Sequence, residues 1–185
     1  MIRLFAALSL PPDIVQALGE HQLGLPGARW RPPESLHITL RFFGDIAENL
    51  AADLDLELAG IDAPAFDLSL RGVGGFGEGA GVEAVWAGVS DNAALRRLAR
   101  SCETAARRAG LRPETRKYRP HVTLAYLRRP DPAAVAAWIQ AHNLLHSPLF
   151  AAETFRLYSS RRSRDGSRYR PERAYPLARN DRHSS

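Results

Sequence analysis

The stretch His37-Ile38-Thr39-Leu40 is followed later in the chain by His121-Val122-Thr123-Leu124, a second copy of the same pattern. The 185-residue chain has only six histidines, and two of them occupy the same position in these tetrads. Both copies are short and apolar, which predicts β-strands, and residues i and i+2 of a strand lie on one face. Each tetrad therefore places a histidine beside a threonine and turns its two aliphatic residues towards a core.

The paired histidines and threonines indicate acid–base chemistry. If the two strands meet, His37 and His121 share one cleft with Thr39 and Thr123, and imidazole gains and loses protons near neutral pH. A single histidine on a strand is more often structural, but two in matched frames favour catalysis. Neither has a carboxylate or another histidine at ligand spacing, so we expect no metal and no cofactor.

Outwards from the tetrads, hydrophobic periodicity predicts alternating helices and strands. We expect strands over residues 2–8, 36–43, 66–73, 82–89, 121–127, 150–159 and 167–177. We expect helices over residues 11–23, 46–60, 92–109 and 131–142, with N-caps at Ser9, Asp91 and Asp131 for the first, third and fourth. Residues 27–33, 74–81 and 164–166 are expected to be loops or turns, and Gly44-Asp45 is expected to end the first histidine strand.

The order of these segments repeats. Each half contains a helix, a tetrad strand, a second helix and two strands, and the histidines lie 84 residues apart, at positions 37 and 121. This predicts an internal duplication with pseudo-two-fold symmetry, in which two antiparallel sheets face each other across a central groove. The expected fold class is α+β with helices on the outside. We expect residues 1–178 to form one bilobal domain and residues 179–185 to form a flexible tail.

The composition is that of a globular protein in a reducing compartment. Hydrophobic residues make up 45% of the chain, which is enough for a core. The single cysteine, Cys102, excludes an internal disulfide and lies in a helical segment, where we expect it to be core. The apolar start of the chain ends at Pro11-Pro12 and is too short for a signal sequence or a membrane span. We therefore expect a cytoplasmic protein with no membrane partner.

Positive charge is concentrated at the C-terminal end. Residues 156–185 hold nine Arg and three acidic residues, a net of +6, whereas the whole chain carries +5. Lys117 is the only lysine among the 25 basic residues, and arginine favours bidentate contacts with phosphate. This favours a polyanionic partner, although a basic face that contacts only solvent stays an alternative.

The flanks of both tetrads resemble the 2H phosphoesterase superfamily, which is named for its two His-x-Thr/Ser motifs. The resemblance is greatest to its RNA 2′,3′-cyclic phosphodiesterase branch, also called 2′-5′ RNA ligase, and it runs along nearly the whole chain. It is carried by RLFAALSLP (3–11), W-x-x-PESLHITLRFFGD (30–45), FDLSLRGVGGFG (66–77), VWAGV (85–89), YRPHVTLAYL (118–127) and LYSSRRSRDGSRYRPERAYPL (157–177).

The resemblance implies a bilobal α+β fold, no metal, and hydrolysis of a 2′,3′-cyclic phosphate at an RNA 3′ end to a 2′-phosphate. It implies that His37 is the proton donor to the departing 3′ oxygen. His121 is then the proton acceptor, which takes a proton from the attacking water. Thr39 and Thr123 would donate to the non-bridging phosphate oxygens. Weak reverse ligation, which makes a 2′-5′ bond, is a further expectation.

One position departs from this branch. Its members often continue the second tetrad as His-x-Thr-Leu-x-Arg, where this chain has Tyr126. Arg128, Arg129 and Arg41 are the candidates to replace the missing cation. The residues predicted to bind substrate are Arg41, Phe43, Tyr118, Tyr126 and Arg128, and Phe76 is a further candidate to stack a base.

Two other functions stay open. The same fold would also suit a non-catalytic module that binds RNA or a nucleotide, or a phosphodiesterase that acts on a small cyclic nucleotide. The expected partners are therefore RNA 3′ ends or small cyclic nucleotides, and no protein partner is required. The remaining histidines have no motif around them and are expected on the surface; they are His21, His142, His146 and His183.

Overall fold

A computed structural model describes residues 1–164 and 166–179. Its strands are β1 (Ile2–Ser9), β2 (Ala28–Trp30), β3 (His37–Ile46), β4 (Phe66–Leu68), β5 (Leu70–Phe76), β6 (Ala84–Val89), β7 (His121–Leu127), β8 (Phe150–Ala152), β9 (Thr154–Ser163) and β10 (Gly166–Pro176). Its helices are α1 (Pro12–Gly19), α2 (Glu48–Ala59), α3 (Ala93–Arg108) and α4 (Pro132–His142). Residues 180–185 of the predicted tail, which include His183, lie outside the described residues. Asp165 of the predicted turn does so as well.

The strands form two four-stranded antiparallel sheets, as the repeated order predicts. The first sheet has the order β10-β9-β1-β3 and the second has the order β2-β7-β6-β5, while β4 and β8 form a separate pair. Each large sheet holds one tetrad strand, and β3 contacts β7 where the two sheets meet. The α+β class is confirmed, with β3 an edge strand of its sheet and β7 an inner one.

The alternation predicted for the tetrads is confirmed. Ile38, Leu40, Val122 and Leu124 are buried, whereas the histidines and threonines between them are partly exposed. Cys102 lies on the buried face of α3, as predicted. Burial raises the pKa of its thiol to about 12, so the thiol stays protonated and does not act as a nucleophile.

The first helix differs from its prediction at both ends. The cap predicted at Ser9 is wrong, because Ser9 is the last residue of β1 and its hydroxyl accepts a hydrogen bond from Arg156 (2.7 Å). The helix begins after Pro11 and ends at Gly19, so residues 20–23 are not helical. Pro11 makes no side-chain cap, and Pro12 suits the first helical position because its fixed φ already matches the helix.

The caps of the later helices are side chains that accept from backbone amides. The cap of α3 is Asn92 rather than Asp91, because Asn92 Oδ1 accepts from the amide of Leu95 (3.0 Å). The cap predicted at Asp131 is confirmed, since its carboxylate accepts from the amide of Ala133 (3.0 Å). Helices α3 and α4 thus start at a polar residue that satisfies a free amide of the first turn, whereas Ala47 before α2 makes no side-chain cap.

Several strand and loop predictions are wrong because sheet pairing overrides local sequence, and the predicted strand 150–159 is divided into β8 and β9. Strand β2 lies inside the predicted loop 27–33, where it pairs with β7. Strand β3 continues past Gly44-Asp45 to Ile46, because it pairs with β1 along this length through two register shifts. Residues 66–73 form parts of two strands, β4 and β5, and β5 continues to Phe76 through the predicted loop. Gly74 pairs with Trp86 in that strand, and a side chain is excluded there because a Cβ would lie 2.5 Å from the Trp86 ring.

In the part of the chain that the structure describes, no helix has the length and apolar character needed to cross a membrane.

Candidate active site

The two tetrad histidines are anchored in the same way. Nδ1 of His37 donates to the carbonyl oxygen of Ser35 (2.8 Å), and Nδ1 of His121 donates to the carbonyl oxygen of Arg119 (2.6 Å). Because a carbonyl oxygen can only accept, each Nδ1 carries a proton, and each Nε2 is left to exchange a proton with a ligand. The two histidines of the repeated tetrads therefore have the same tautomer, with the proton on Nδ1.

The two threonines lie beside their histidines. The Thr39 hydroxyl donates to Nε2 of His37 across 3.1 Å. Thr123 lies two residues along β7 from His121, and both are partly exposed while the residues between and after them are buried. The structure thus gives each imidazole a neighbouring hydroxyl on the same strand face, as the tetrads predict.

Aromatic rings pack around both imidazoles and fix their orientation. The His37 ring lies 4.9 Å from Phe5 and 5.3 Å from Tyr169, and the His121 ring lies 4.6 Å from Phe76 in an edge-to-face contact. Phe76, a candidate to stack a base, therefore forms part of the wall of the site. Tyr169 comes from β10, and sequence patterns gave no signal for its place beside His37.

Both histidines are neutral at pH 7 in the free protein. The pKa of His37 is lowered to about 4, mainly by burial, while the bond to Ser35 opposes the shift. The charge of Arg31, and that of His121 whenever it is protonated, act in the same direction as burial. Burial also lowers the pKa of His121, although its bond to Arg119 opposes the shift. The geometric link between the two rings is the contact between β3 and β7, which brings the two tetrad strands together. An anion bound between them would raise both pKa values.

Arg31 is a cation in this site that the sequence analysis missed. Its side chain is buried, with its guanidinium 5.3 Å from the centre of the Tyr126 ring and 5.6 Å from that of Tyr169. Nη2 donates to the Tyr169 hydroxyl (3.3 Å) and to the carbonyl of Ser167 (3.4 Å). No carboxylate pairs with Arg31 among the described residues. A buried cation without an acidic partner is suited to bind an anionic ligand.

The backbone explains how Arg31 reaches the second tetrad. Its amide donates to the carbonyl of Leu124 (2.8 Å), which extends the pairing of β2 with β7. This pairing brings together residues almost one hundred positions apart, so no local pattern indicates it. Arg31 stands six residues before His37, at a position for which the resemblance specifies no residue type.

Arg41 and Phe43 are not brought to the imidazoles by any contact in the structure. Nε of Arg41 donates to Glu103 of α3 (2.5 Å), and its Nη2 donates to the carbonyl of Arg112 (2.9 Å). The Arg41 guanidinium also lies 5.7 Å from the centre of the Phe43 ring, and Phe43 packs against the core. The charge of Arg41 is therefore already balanced by a carboxylate.

Tyr118 and Tyr126 do contact the tetrad region, each in a different way. The Tyr118 hydroxyl donates to the carbonyl of Thr39 (2.9 Å), so it ties the segment before the second tetrad to the first tetrad strand. Burial raises the pKa of Tyr118, which keeps this donor protonated. Tyr126 is 44% exposed and carries the Arg31 guanidinium on its ring. Arg128 is exposed just after β7.

Metal binding finds no support in the side-chain clusters. No three His, Cys, Asp or Glu side chains converge as a possible metal site within residues 1–164 and 166–179.

His21 and His142 are partly buried and hydrogen-bonded to each other through their Nδ1 atoms (2.8 Å), so the surface position predicted for them is wrong. His146 is exposed, as predicted.

Comparison with known proteins connects this geometry to a family. The profile of the 2′-5′ RNA ligase superfamily matches residues 10–164. The RNA 2′,3′-cyclic phosphodiesterase of Archaeoglobus fulgidus is 31% identical over 134 residues, which cover 71% of this chain and 76% of that protein. The protein of the same name from Escherichia coli K12 is 30% identical over 179 residues, covering 95% of this chain and 96% of its relative.

The fold is shared with solved structures as well. The crystal structure of E. coli LigT without ligand has a TM-score of 0.78 at 27% sequence identity, covering 96% of this chain and 98% of that one. The crystal structure of the same protein with 3′-AMP has a TM-score of 0.77 at 27% identity, covering 95% and 98%. The two-sheet α+β architecture expected from the repeated tetrads is therefore confirmed.

Proposed function

The chain belongs to the 2′-5′ RNA ligase superfamily, and on this premise we propose that it is an RNA 2′,3′-cyclic phosphodiesterase. It opens the cyclic phosphate at an RNA 3′ end and leaves a 2′-phosphate. The observation that carries the proposal is the matched anchoring of His37 and His121, because Nδ1 is held by a backbone carbonyl in both. Two imidazoles that carry their proton on Nδ1 and present an unprotonated Nε2 are suited to be the acid and the base of this reaction.

The proposed mechanism uses one histidine on each side of phosphorus. His121 Nε2 takes a proton from the attacking water, and His37 Nε2 gives a proton to the 3′ oxygen as its bond to phosphorus breaks. Neutral His121 is ready to accept in the free protein, because burial lowers its pKa. His37 is also neutral, so it takes up a proton from solvent when the substrate binds. The negative charge of the bound phosphate raises its pKa and favours this uptake.

The negative charge on the non-bridging oxygens is stabilised by hydroxyls and by arginine in this proposal. Thr39 and Thr123 donate from the strand face of the histidines. Arg31 takes the place of the arginine that relatives have where this chain has Tyr126, because its guanidinium lies on the Tyr126 ring and lacks a carboxylate partner among the described residues. A fixed cation and two hydroxyls supply the electrostatic stabilisation that a metal ion provides elsewhere, which supports a metal-independent reaction.

The decisive experiment is turnover of adenosine 2′,3′-cyclic monophosphate in excess EDTA. We expect steady hydrolysis that added Mg²⁺ or Mn²⁺ does not accelerate. Loss of activity in EDTA that a divalent ion restores would contradict metal independence. No turnover of either this nucleotide or a cyclic-phosphate oligonucleotide, with binding retained, would favour the non-catalytic module.

RNA ends are the proposed substrate, and ligation is a proposed side reaction. The relatives are named for RNA 2′,3′-cyclic phosphate, and E. coli LigT has been crystallised with 3′-AMP. A 5′-hydroxyl in place of the attacking water would give its proton to His121 and bond to phosphorus. The bond to the 3′ oxygen would break and His37 would protonate that oxygen, which leaves a 2′-5′ phosphodiester. The place of action that we propose is the cytoplasm, since the lone Cys102 is a buried free thiol.

A further inference from the structure

Four arginines surround a cavity beside the histidine site. The cavity has a volume of about 340 Å³. Its described lining contains no aspartate or glutamate and consists of Arg29, Arg31, Tyr126, Arg162, Ser163, Arg164, Gly166 and Ser167. The described wall therefore has an excess of positive charge, which raises the local concentration of anions.

The arginines come from two distant segments that the fold brings together. Arg29 and Arg31 belong to β2 and the residue after it, whereas Arg162 and Arg164 lie at the turn between β9 and β10. Two of the guanidinium groups converge on Gly166: a Cβ at this position would lie 3.5 Å from Nη1 of Arg31 and 3.7 Å from Nη2 of Arg29. Like charges that converge in this way repel each other, and a bound anion removes that repulsion.

The cavity adjoins the histidine pair through Arg31 and Tyr169. Arg31 lines the cavity, and its charge lowers the pKa of His37. Tyr169 binds Arg31 through its hydroxyl and packs its ring against the His37 ring. A ligand that has one anionic group between the histidines can therefore place a second anionic group in the cavity.

We propose that the cavity binds the phosphate on the 5′ oxygen of the terminal nucleotide, while the histidines act on its 2′,3′-cyclic phosphate. This inference rests on the proposed function. In an RNA chain the 5′-phosphate is the anionic group nearest to the cyclic phosphate, separated from it by one ribose. The preferred substrate class is therefore a cyclic-phosphate end with a 5′-phosphate, as in every RNA chain, over a nucleoside cyclic phosphate without one.

The test compares kcat/KM for adenosine 2′,3′-cyclic phosphate with that for the same compound carrying a 5′-phosphate. The wild-type protein should favour the 5′-phosphorylated compound on the order of ten- to a hundredfold, as expected for one or two charge-assisted contacts. The preference should shrink as salt rises from about 0.05 to 0.5 M, because exposed charges are screened. In the double variant Arg162→Gln/Arg164→Gln, the preference should fall towards one.

The matched control is Arg161→Gln/Arg168→Gln, which removes the same charge from the same hairpin. These two residues are cross-strand partners and do not line the cavity. The control should keep the wild-type preference and the wild-type melting temperature. Equal kcat/KM for the two compounds in the wild-type protein, or an equal loss of preference in both double variants, overturns this inference alone. Failure to hydrolyse either compound while a cyclic-phosphate oligonucleotide is hydrolysed also overturns this inference alone, because a single 5′-phosphate then does not suffice. Failure with all three substrates overturns the proposed function and this inference together.

Discussion

At the scale of single residues, the protonation of the two histidines decides what the site can do. Both Nδ1 atoms donate to backbone carbonyls, so both rings present Nε2 to a ligand. With a pKa of about 4, His37 is almost never protonated at pH 7 in the free protein. The acid of the proposed reaction therefore forms only when an anion is bound, which couples substrate binding to catalysis.

Removing either histidine should cost most of the rate. We expect His37→Ala and His121→Ala each to lower kcat by about 10²–10⁴-fold, because each removes one proton-transfer group. The double variant should be little worse than either single variant, since the two groups act as a unit. His146→Ala is the matched control, because His146 is exposed. Near wild-type kcat in His37→Ala would show that the donor has been assigned wrongly.

The pH profiles should show the coupling of binding to protonation. The alkaline limb of kcat/KM reports an ionisation of the free enzyme, and that of kcat reports an ionisation of the complex. A bound phosphate anion favours the imidazolium form of His37, so the limb of kcat should lie at higher pH by about one unit or more. Both profiles are measured from about pH 4 to 9 with a cyclic nucleotide. If the two limbs coincide, the bound phosphate does not raise the pKa of His37.

Arg31 should stabilise the reacting phosphate, whereas the exposed Arg128 should not. We expect Arg31→Gln to lower kcat/KM on the order of 10²-fold, as for the loss of one donor to a developing anion. Arg31→Lys should recover only part of this loss, because lysine cannot stack on Tyr126 and Tyr169 as a planar guanidinium does. Arg128→Gln serves as the control. Equal effects of Arg31→Gln and Arg128→Gln would contradict the role given to Arg31.

At the scale of elements, local sequence predicts what is local. The tetrads predict two strands and their buried faces, and Asp131 marks the start of α4 correctly, because these features depend on neighbours in the chain. Strand β2 is missed because its partner β7 lies almost one hundred residues away. Arg31 is missed with it, so the main cation proposed for the site depends on a strand pairing that no local pattern encodes.

The rule that alternate residues of a strand share one face also fails where the strand contains a β-bulge. Arg41 and Phe43 share parity with His37, which predicts that all of them face the groove. The pairing of β3 with β1 shifts register between Thr39 and Arg41, where Leu40 has no partner, and again before Gly44. A β-bulge turns the residues beyond it to the other side. Arg41 therefore meets Glu103 on α3 instead of the histidines.

The Arg41–Glu103 pair should stabilise the fold by joining β3 to α3. Their side chains are 10% and 26% exposed, so the pair is intermediate between a surface ion pair and a buried one. We expect Arg41→Gln to lower the free energy of unfolding by about 2 kcal/mol, because it leaves Glu103 half-buried without its cation. Urea unfolding measures this, and kcat of the folded variant should stay within about threefold. A loss of kcat without a loss of stability would indicate that Arg41 binds substrate instead of stabilising the fold.

At the scale of the whole molecule, the fold makes one site from two halves. Each four-stranded sheet contributes one tetrad strand, and the edge strand β3 of the first sheet contacts the inner strand β7 of the second. The Tyr118 hydroxyl crosses this junction to the carbonyl of Thr39. Strand β2 pairs with the outer side of β7 and brings Arg31 near the second tetrad. The second sheet therefore supplies an arginine in addition to its histidine and threonine.

The regiochemistry of the product tests the central claim most directly, because it follows from which histidine faces which oxygen. An oligonucleotide with a 2′,3′-cyclic phosphate end is hydrolysed in EDTA, and the phosphomonoester is identified by ³¹P NMR. With His37 as proton donor to the 3′ oxygen, the product should be the 2′-phosphate alone. A 3′-phosphate, or a mixture of both, would contradict the proposed placement of acid and base across the phosphate.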